Sequence, residues 1–130
     1  MNTDIRINNA TEIMNSIVKL LRKDGIKVDG RIEYRGTAIS IEDKDWNVRM
    51  WIRLMWNSTF DKCIIYMSNI RFSDEFQRSG YFTNVINTLK KSKYIENIVI
   101  QSVCTDAMRN WCKKHRFSTN EYMSDYFWKA

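Results

Sequence analysis

Proline is absent from the 130 residues, glycine occurs four times, and His115 is the single histidine. With no proline and no Gly/Ser-rich tract, nothing marks a hinge or a linker between domains. Cys63, Cys104 and Cys112 are an odd set without paired spacing, and only His115 can join them. Zinc sites take four N/S ligands in close sequence pairs, so no metal site is expected, and no disulfide framework either. No apolar run approaches the roughly 18 residues of a membrane-spanning helix, and Met1 to Asn9 is polar, so a cytoplasmic protein is expected. Internal repeats and low-complexity tracts are missing too.

What is present is an apolar content of 44%, enough for one compact core. A single domain over residues 1–130 is expected. Lys and Arg number 21 against 15 Asp and Glu, giving +6 and an isoelectric point near 9.3. That excess suits an anionic partner, nucleic acid or an acidic protein face among them, and equally serves plain solubility.

Asn9 followed by Glu12 has the form of a capping box, and Ile13, Met14, Ile17, Val18 and Leu21 then recur at helical spacing until Gly25. Arg31 to Tyr34 and Ala38 to Glu42 have strand composition, and their change of apolar parity around Gly36 predicts a bulge or a tight turn. Val48, Met50, Ile52, Leu54 and Trp56 alternate with Arg49, Arg53 and Met55, as in a strand with one buried face. Cys63 to Phe72 is apolar on both parities except at Ser68, Asn69 and Arg71, which predicts a strand covered on both faces. Asn69 and Arg71 fall near its carboxyl end, where open mixed sheets bind ligands.

After that strand, Asp74 to Asn84 carries a glycine turn into an amphipathic helix, Tyr81 to Lys91. The first N–H groups of such a helix lack carbonyl partners and carry the positive end of its dipole, so the junction is an anion site. Ile98 to Val103 reads as a further strand, Thr105 to His115 as a helix, and Phe117 onward, through Tyr126-Phe127-Trp128, as a closing hairpin.

The spacing Gln77-x-x-Gly80-x-Phe82 resembles the acyl-CoA-binding signature of the GNAT family of N-acetyltransferases: Gln or Arg, two residues, Gly, one residue, then Gly or Ala. Asn110 to Phe117 is similar to that family's second motif, through Lys114 and Phe117. The resemblance implies a GNAT-like α/β fold, a mixed, mostly antiparallel central sheet flanked by helices on both faces. It also implies an acetyl-CoA-dependent N-acetyltransferase acting on a primary amine, whether a protein lysine, a protein N-terminus or a small amine. Acetyl-CoA is then the co-substrate, its pyrophosphate held by Gln77, Arg78, Ser79, Gly80, Tyr81, Phe82 and Thr83, and its pantetheine arm laid along the backbones of Ile70 and Phe72.

Three positions depart from the family pattern. Phe82 replaces a small residue, Arg116 replaces the glycine that ends the helix, and Cys112 stands where many members carry the tyrosine that protonates the leaving thiolate. Cys112, Tyr122 and Tyr126 are the candidate acids. A thiol beside Trp111 reads equally as packing, and His115 as a charge complementing the helix dipole. The alternative function is a degenerate GNAT-like fold that binds an anionic protein or nucleic acid through its basic surface. Its sequence feature is a set of tryptophans, Trp46, Trp51, Trp56, Trp111 and Trp128, interleaved with Arg49, Arg53 and Arg109, although the alternation around Trp56 favours core.

Overall fold

The computed structural model describes residues 2–73, 80–103, 105–119 and 124–130. In chain order these form α1 (Asn2–Lys23), β1 (Val28–Glu33), β2 (Ala38–Asp43), β3 (Val48–Trp56), β4 (Cys63–Phe72), α2 (Tyr81–Lys90), β5 (Ile95–Ile100), α3 (Asp106–Lys114), β6 (Ser118–Thr119) and β7 (Tyr126–Lys129). The described strands make one sheet in the order β1-β2-β3-β4-β5-β7-β6. β4 and β5 are parallel and every other neighbouring pair is antiparallel. This is the mixed, mostly antiparallel α/β fold expected. The parallel pair needs a crossover, and α2 supplies it.

α1 begins two turns before the expected start at Asn9. The residues read as a cap have tertiary partners instead: Asn9 Nδ2 donates to the Phe60 carbonyl at 2.7 Å, and Glu12 accepts from the Tyr94 hydroxyl. At the other end Gly25 takes φ +85°, Ile26 N–H donates to Leu21 O and Gly25 N–H to Arg22 O, a Schellman closure. Ile13, Ile17 and Leu21 face one side of the sheet together with Val85, Ile86 and Leu89 of α2. There they bury Ile39, Ile41, Met50, Ile52, Ile65, Met67 and Ile98 in a single core cluster. Each such side chain contributes about 1.5–3 kcal/mol on burial.

The parity change around Gly36 is a tight turn. Tyr34, Arg35 and Gly36 have φ of 50°, 56° and 87°, so Glu33 still pairs with Ala38. A Cβ on Gly36 would lie 3.1 Å from backbone atoms of Arg6 and Ile7, so the glycine lets α1 lie on this turn. Arg6 Nε donates to Arg35 O at 2.7 Å and Trp56 Nε1 to Gly36 O at 2.8 Å, locking the contact.

β4 has the expected limits, but its two faces differ. The face toward α1 and α2 is buried. On the other, Arg49, Arg53 and Met55 of β3 are exposed, while Trp51 and Tyr66 are half-buried. Cover there comes from the sheet's own side chains, with the Arg53 guanidinium 4.7 Å over the Tyr66 ring and Tyr34 edge-on to Trp51 at 6.1 Å. β4 also bulges: Trp51 pairs with Ser68 but Arg49 with Arg71, three residues spanned against two, and Asn69 takes φ 51°. The bulge reverses parity, so Phe72 rejoins the buried face.

β5 begins and ends three residues before the expected Ile98 to Val103. Cys63 N–H donates to Tyr94 O and Ile95 pairs with Cys63, which starts the strand early. Ser102, at φ 56°, then turns the chain away, and Val103 N–H bonds Ser124 O.

Gly36→Ala is expected to destabilise by about 2–4 kcal/mol, since left-handed strain and backbone overpacking add. Gly25→Ala, equally left-handed but with open space around a Cβ, should lose about 1–2 kcal/mol. Urea denaturation of the two variants checks the difference.

Candidate functional site

Pairing between β4 and β5 stops halfway along β4. The last pair is Met67 with Ile100, followed by Gln101 N–H to Met67 O at 2.9 Å. Beyond it β4 continues to Phe72 against β3, while the chain after β5 leaves the sheet. The gap opens a cleft of about 590 Å³ lined by Ile70, Arg71, Phe72, Gly80, Phe82, Thr83, Thr105, Ala107, Met108 and Trp111. This volume lies within the range of small-molecule sites.

Two helix N-termini border the cleft. Gly80 caps α2 in the left-handed region, at φ 75° and ψ 13°, with no side-chain cap, and Asn84 N–H donates to Gly80 O at 3.0 Å. The amides of the turn before Asn84 have no intrahelical carbonyl, so the positive end of α2 faces the opening. A Cβ on Gly80 would meet nothing within 4 Å. α3 is capped by Thr105, whose hydroxyl accepts from Met108 N–H at 3.2 Å.

An aromatic chain ties these helices to β4. The Phe82 ring lies 5.8 Å from Phe72 and 4.7 Å from Trp111, and Trp111 continues to Phe117 at 5.7 Å and stacks on His115 at 4.3 Å. Trp111 Nε1 donates to Thr83 Oγ1 at 2.9 Å. Phe82, the bulky departure in the signature, thus braces the wall of the cleft. Arg116, the other backbone departure, adopts the left-handed conformation a glycine would, at φ 65°, with Phe117 N–H donating to Cys112 O. His115 does not add charge to the end of α3: burial, then Lys114 and Lys90, lower its pKa from 6.5. Lys113 and Lys114 take that role.

Of the residues singled out in the sequence, Ile70, Phe72, Gly80, Phe82 and Thr83 line the cleft together. Tyr81, next to them, is half-buried against the core. Gln77, Arg78, Ser79 and Tyr122 lie outside the described residues. Cys112 and Tyr126 are core residues, 0% and 4% exposed, and neither lines the cleft. Burial pushes the Cys112 thiol from 9.0 to about 12; for Cys63, burial and then Glu96 do the same. The sequence reading missed Thr105, Ala107, Met108 and Trp111. The Thr105 cap was a signal for them, because it fixes which end of α3 points at the strand ends.

Among the described residues, the lining holds no carboxylate, imidazole or phenol, and no group of three potential metal ligands occurs. No described helix is long and apolar enough to cross a membrane.

No family model matches the chain, and no curated protein matches it in sequence. Among solved structures it is similar to N-acetylglutamate synthase from Neisseria gonorrhoeae, complexed with coenzyme A and N-acetyl-glutamate, with a TM-score of 0.43 and 13% identity. The likeness covers 88% of this chain and 31% of that one, so the chain spans about a third of that protein's length.

Both described thiols should resist disulfide-exchange reagents in the native protein and react on unfolding. Their pKa values are raised by folding, so the stability they contribute is complete below about pH 9 and is lost as pH rises toward about 12. A thiol titration and alkaline melts check both. Cys112→Ala should lower the melting temperature through a small cavity.

Proposed function

We propose that residues 1–130 form one domain that binds acetyl-CoA in this cleft and transfers its acetyl group to a primary amine. One observation carries the reading: Gly80, from the stretch that resembles an acyl-CoA signature, lies on the same cleft as a helix start without a side-chain cap and the part of β4 beyond its last pair with β5. Each part suits a different piece of the ligand. The amides at the start of α2 suit a pyrophosphate, with the Thr83 hydroxyl, already accepting from Trp111, still able to donate. The backbone of Ile70 to Phe72 suits an amide-bearing arm that adds beside β4 as an extra strand. Phe82, Met108 and Trp111 supply the apolar wall.

Acetyl-CoA supplies an activated thioester, whose carbonyl carbon bonds the amine nitrogen as the C–S bond breaks. The residues of the described lining, which include no acid or base, act by binding and orienting. The amine proton passes to water, and the thiolate takes its proton from solvent. Holding two reactants in one geometry is itself worth several kcal/mol of barrier, on the order of 7–11 at best.

The second reading is a degenerate GNAT-like fold that binds an anionic protein or nucleic acid. The placement of Cys112 and Tyr126 inside the core favours it, because neither can meet a leaving group in the cleft.

Acetyl-CoA at about a hundred times its dissociation constant should add roughly 2.7 kcal/mol to stability, read as a rise in melting temperature. Gly80→Asp sets a negative charge before α2 and should abolish CoA binding by calorimetry in a protein that still melts cooperatively; unchanged affinity would sink the assignment. Nucleic acid should bind at micromolar strength at most and be released by salt, each phosphate contact adding about −0.9 to the log–log slope. Salt-resistant binding by fluorescence anisotropy would promote the second reading.

A further inference from the structure

The bulge in β4 does more than open the sheet. By reversing parity at Asn69 it sets Arg71 directly across from Arg49, on the face away from α1 and α2. Side chains directly opposite in an antiparallel pair stand about 4.5–5.5 Å apart at Cβ, and like charges there repel. Arg49 is held in place, its Nε 4.0 Å from Glu42 and its guanidinium 4.6 Å over the Trp46 ring. Glu42 offsets at most one charge of the pair, and it is shared with Arg31, which also lies 3.8 Å from Glu33. Arg71 is exposed, lines the cleft, and has no ion-pair partner among the described residues.

Trp46 is a second oddity at the same end of the sheet. It is 51% exposed and takes φ 60°, a strained conformation for a tryptophan. Buried Asp43 pins its turn: Asp43 Oδ1 accepts from Val48 N–H at 2.9 Å, and Asp43 O accepts from Trp46 N–H at 3.2 Å. A tryptophan fixed in the open, with one arginine laid on it and a second arginine across the ladder, has the form of a site awaiting an anion.

We propose that Arg71 and Arg49, with the Trp46 indole beside them, bind a carboxylate, and that the acceptor is an amine carrying a carboxylate, such as an amino acid or an acidic peptide. The acceptor assignment rests on the acetyl-transfer reading of the cleft; the carboxylate site does not. Guanidinium forks match a carboxylate in shape and charge. A primary amine arrives as an ammonium ion, and one without an acid group meets the Arg71 guanidinium and no carboxylate in the described lining. Polyamines and simple alkylamines are therefore disfavoured, while an acid group on the same molecule offsets the repulsion. In the transfer, the ammonium first gives one proton to water. The free amine nitrogen then forms the C–N bond to the acetyl carbonyl carbon as the C–S bond to CoA breaks, its second proton goes to water, and the CoA thiolate takes a proton from solvent. The carboxylate is unchanged and serves only to position the amine.

The test uses product-like probes, a series of acetamido acids from N-acetylglycine to acetamidohexanoate, each against its neutral amide, with CoA present. Binding is followed by fluorine NMR of fluorotryptophan-labelled protein, with the Trp46 resonance assigned by Trp46→Phe. At least one acid should bind about tenfold or more tightly than its amide, the scale of a charge-assisted hydrogen bond, and shift the Trp46 resonance. Arg71→Gln should reduce that preference to within about twofold and melt no lower than the wild type, because it removes a like-charge pair. Arg71→Lys should retain part of the preference. Equal affinity for every acid and its amide in the wild type overturns the proposal. So does a tenfold loss of CoA affinity in Arg71→Gln with dephospho-CoA unaffected, which would assign the arginines to the cofactor's phosphate. If the wild type prefers acids but fails to bind CoA, the acetyl-transfer reading falls and the carboxylate site stands.

Discussion

The molecule is organised by a parallel strand pair that stops pairing halfway. A β-strand edge left without its neighbour presents unpaired N–H and C=O groups, and such groups must find partners in the protein, in water or in a ligand. Among the described residues, Ser68 to Arg71 of β4 lie beyond the last pair with β5, while β3 continues alongside on the other edge. The departure is built in twice over: Asn69 on β4 and Ser102 after β5 both take positive φ, at 51° and 56°. Neither is glycine, so each holds a conformation costing about 1–2 kcal/mol. The bond from Ser102 N–H to Asp125 and the one from Val103 N–H to Ser124 help keep the second bend in place.

An open wedge in a sheet has to be held against collapse, and here apolar rings do that. Phe72 on β4, Phe82 on α2 and Trp111 on α3 contact one another in sequence, so the strand and the two helices beside the wedge are fixed by a shared stack. The Trp111 to Thr83 hydrogen bond sets the rotation of α3 against α2. Aromatic pairs of this type add about 0.5–1.5 kcal/mol each beyond area burial. A residue that departs from a small-residue pattern, Phe82, therefore belongs to the same mechanical system as the cleft. A wall braced by its own rings lowers the ordering penalty on binding.

Much of this was legible in the sequence, for a physical reason. Alternation in Val48 to Trp56 and the apolar run from Cys63 to Phe72 fix strand identity because side-chain parity decides burial, and both strands form with those limits. The Gly80 turn was legible because only a few residues tolerate the left-handed region before a helix. What was missed depends on distant partners. The true start of α1 rests on Phe60 and Tyr94, far along the chain from Asn9 and Glu12, and no local pattern encodes them. The position of β5 is set by the Tyr94 carbonyl meeting Cys63, again a tertiary choice. The bulge left a trace that period-two reading passes over. On odd numbers, apolar Cys63, Ile65 and Met67 give way to polar Asn69 and Arg71, while even-numbered Ile70 and Phe72 are apolar. Cys112 and Tyr126 were nominated by motif position, and motif position carries no information on which way a side chain turns.

Placing these elements together changes how the basic surface is understood. A net charge of +6 spread evenly would support only weak, salt-labile attraction to any polyanion. Much of the cationic charge on the open face of the sheet is in fact committed: Arg31 and Arg49 share Glu42, Arg31 also nears Glu33, and Arg53 lies over Tyr66. Arg71 stands apart, and it is also the charged residue that reaches the cleft among those described. The bulge that opens the sheet also turns this arginine outward, so the shape of the cleft and the charge at its rim have one structural cause. Any change that straightened β4 would turn Arg71 toward the apolar side. A charge placed by the element that creates the cavity cannot be varied independently of it, which makes Arg71 part of the cleft's architecture and not an incidental surface residue.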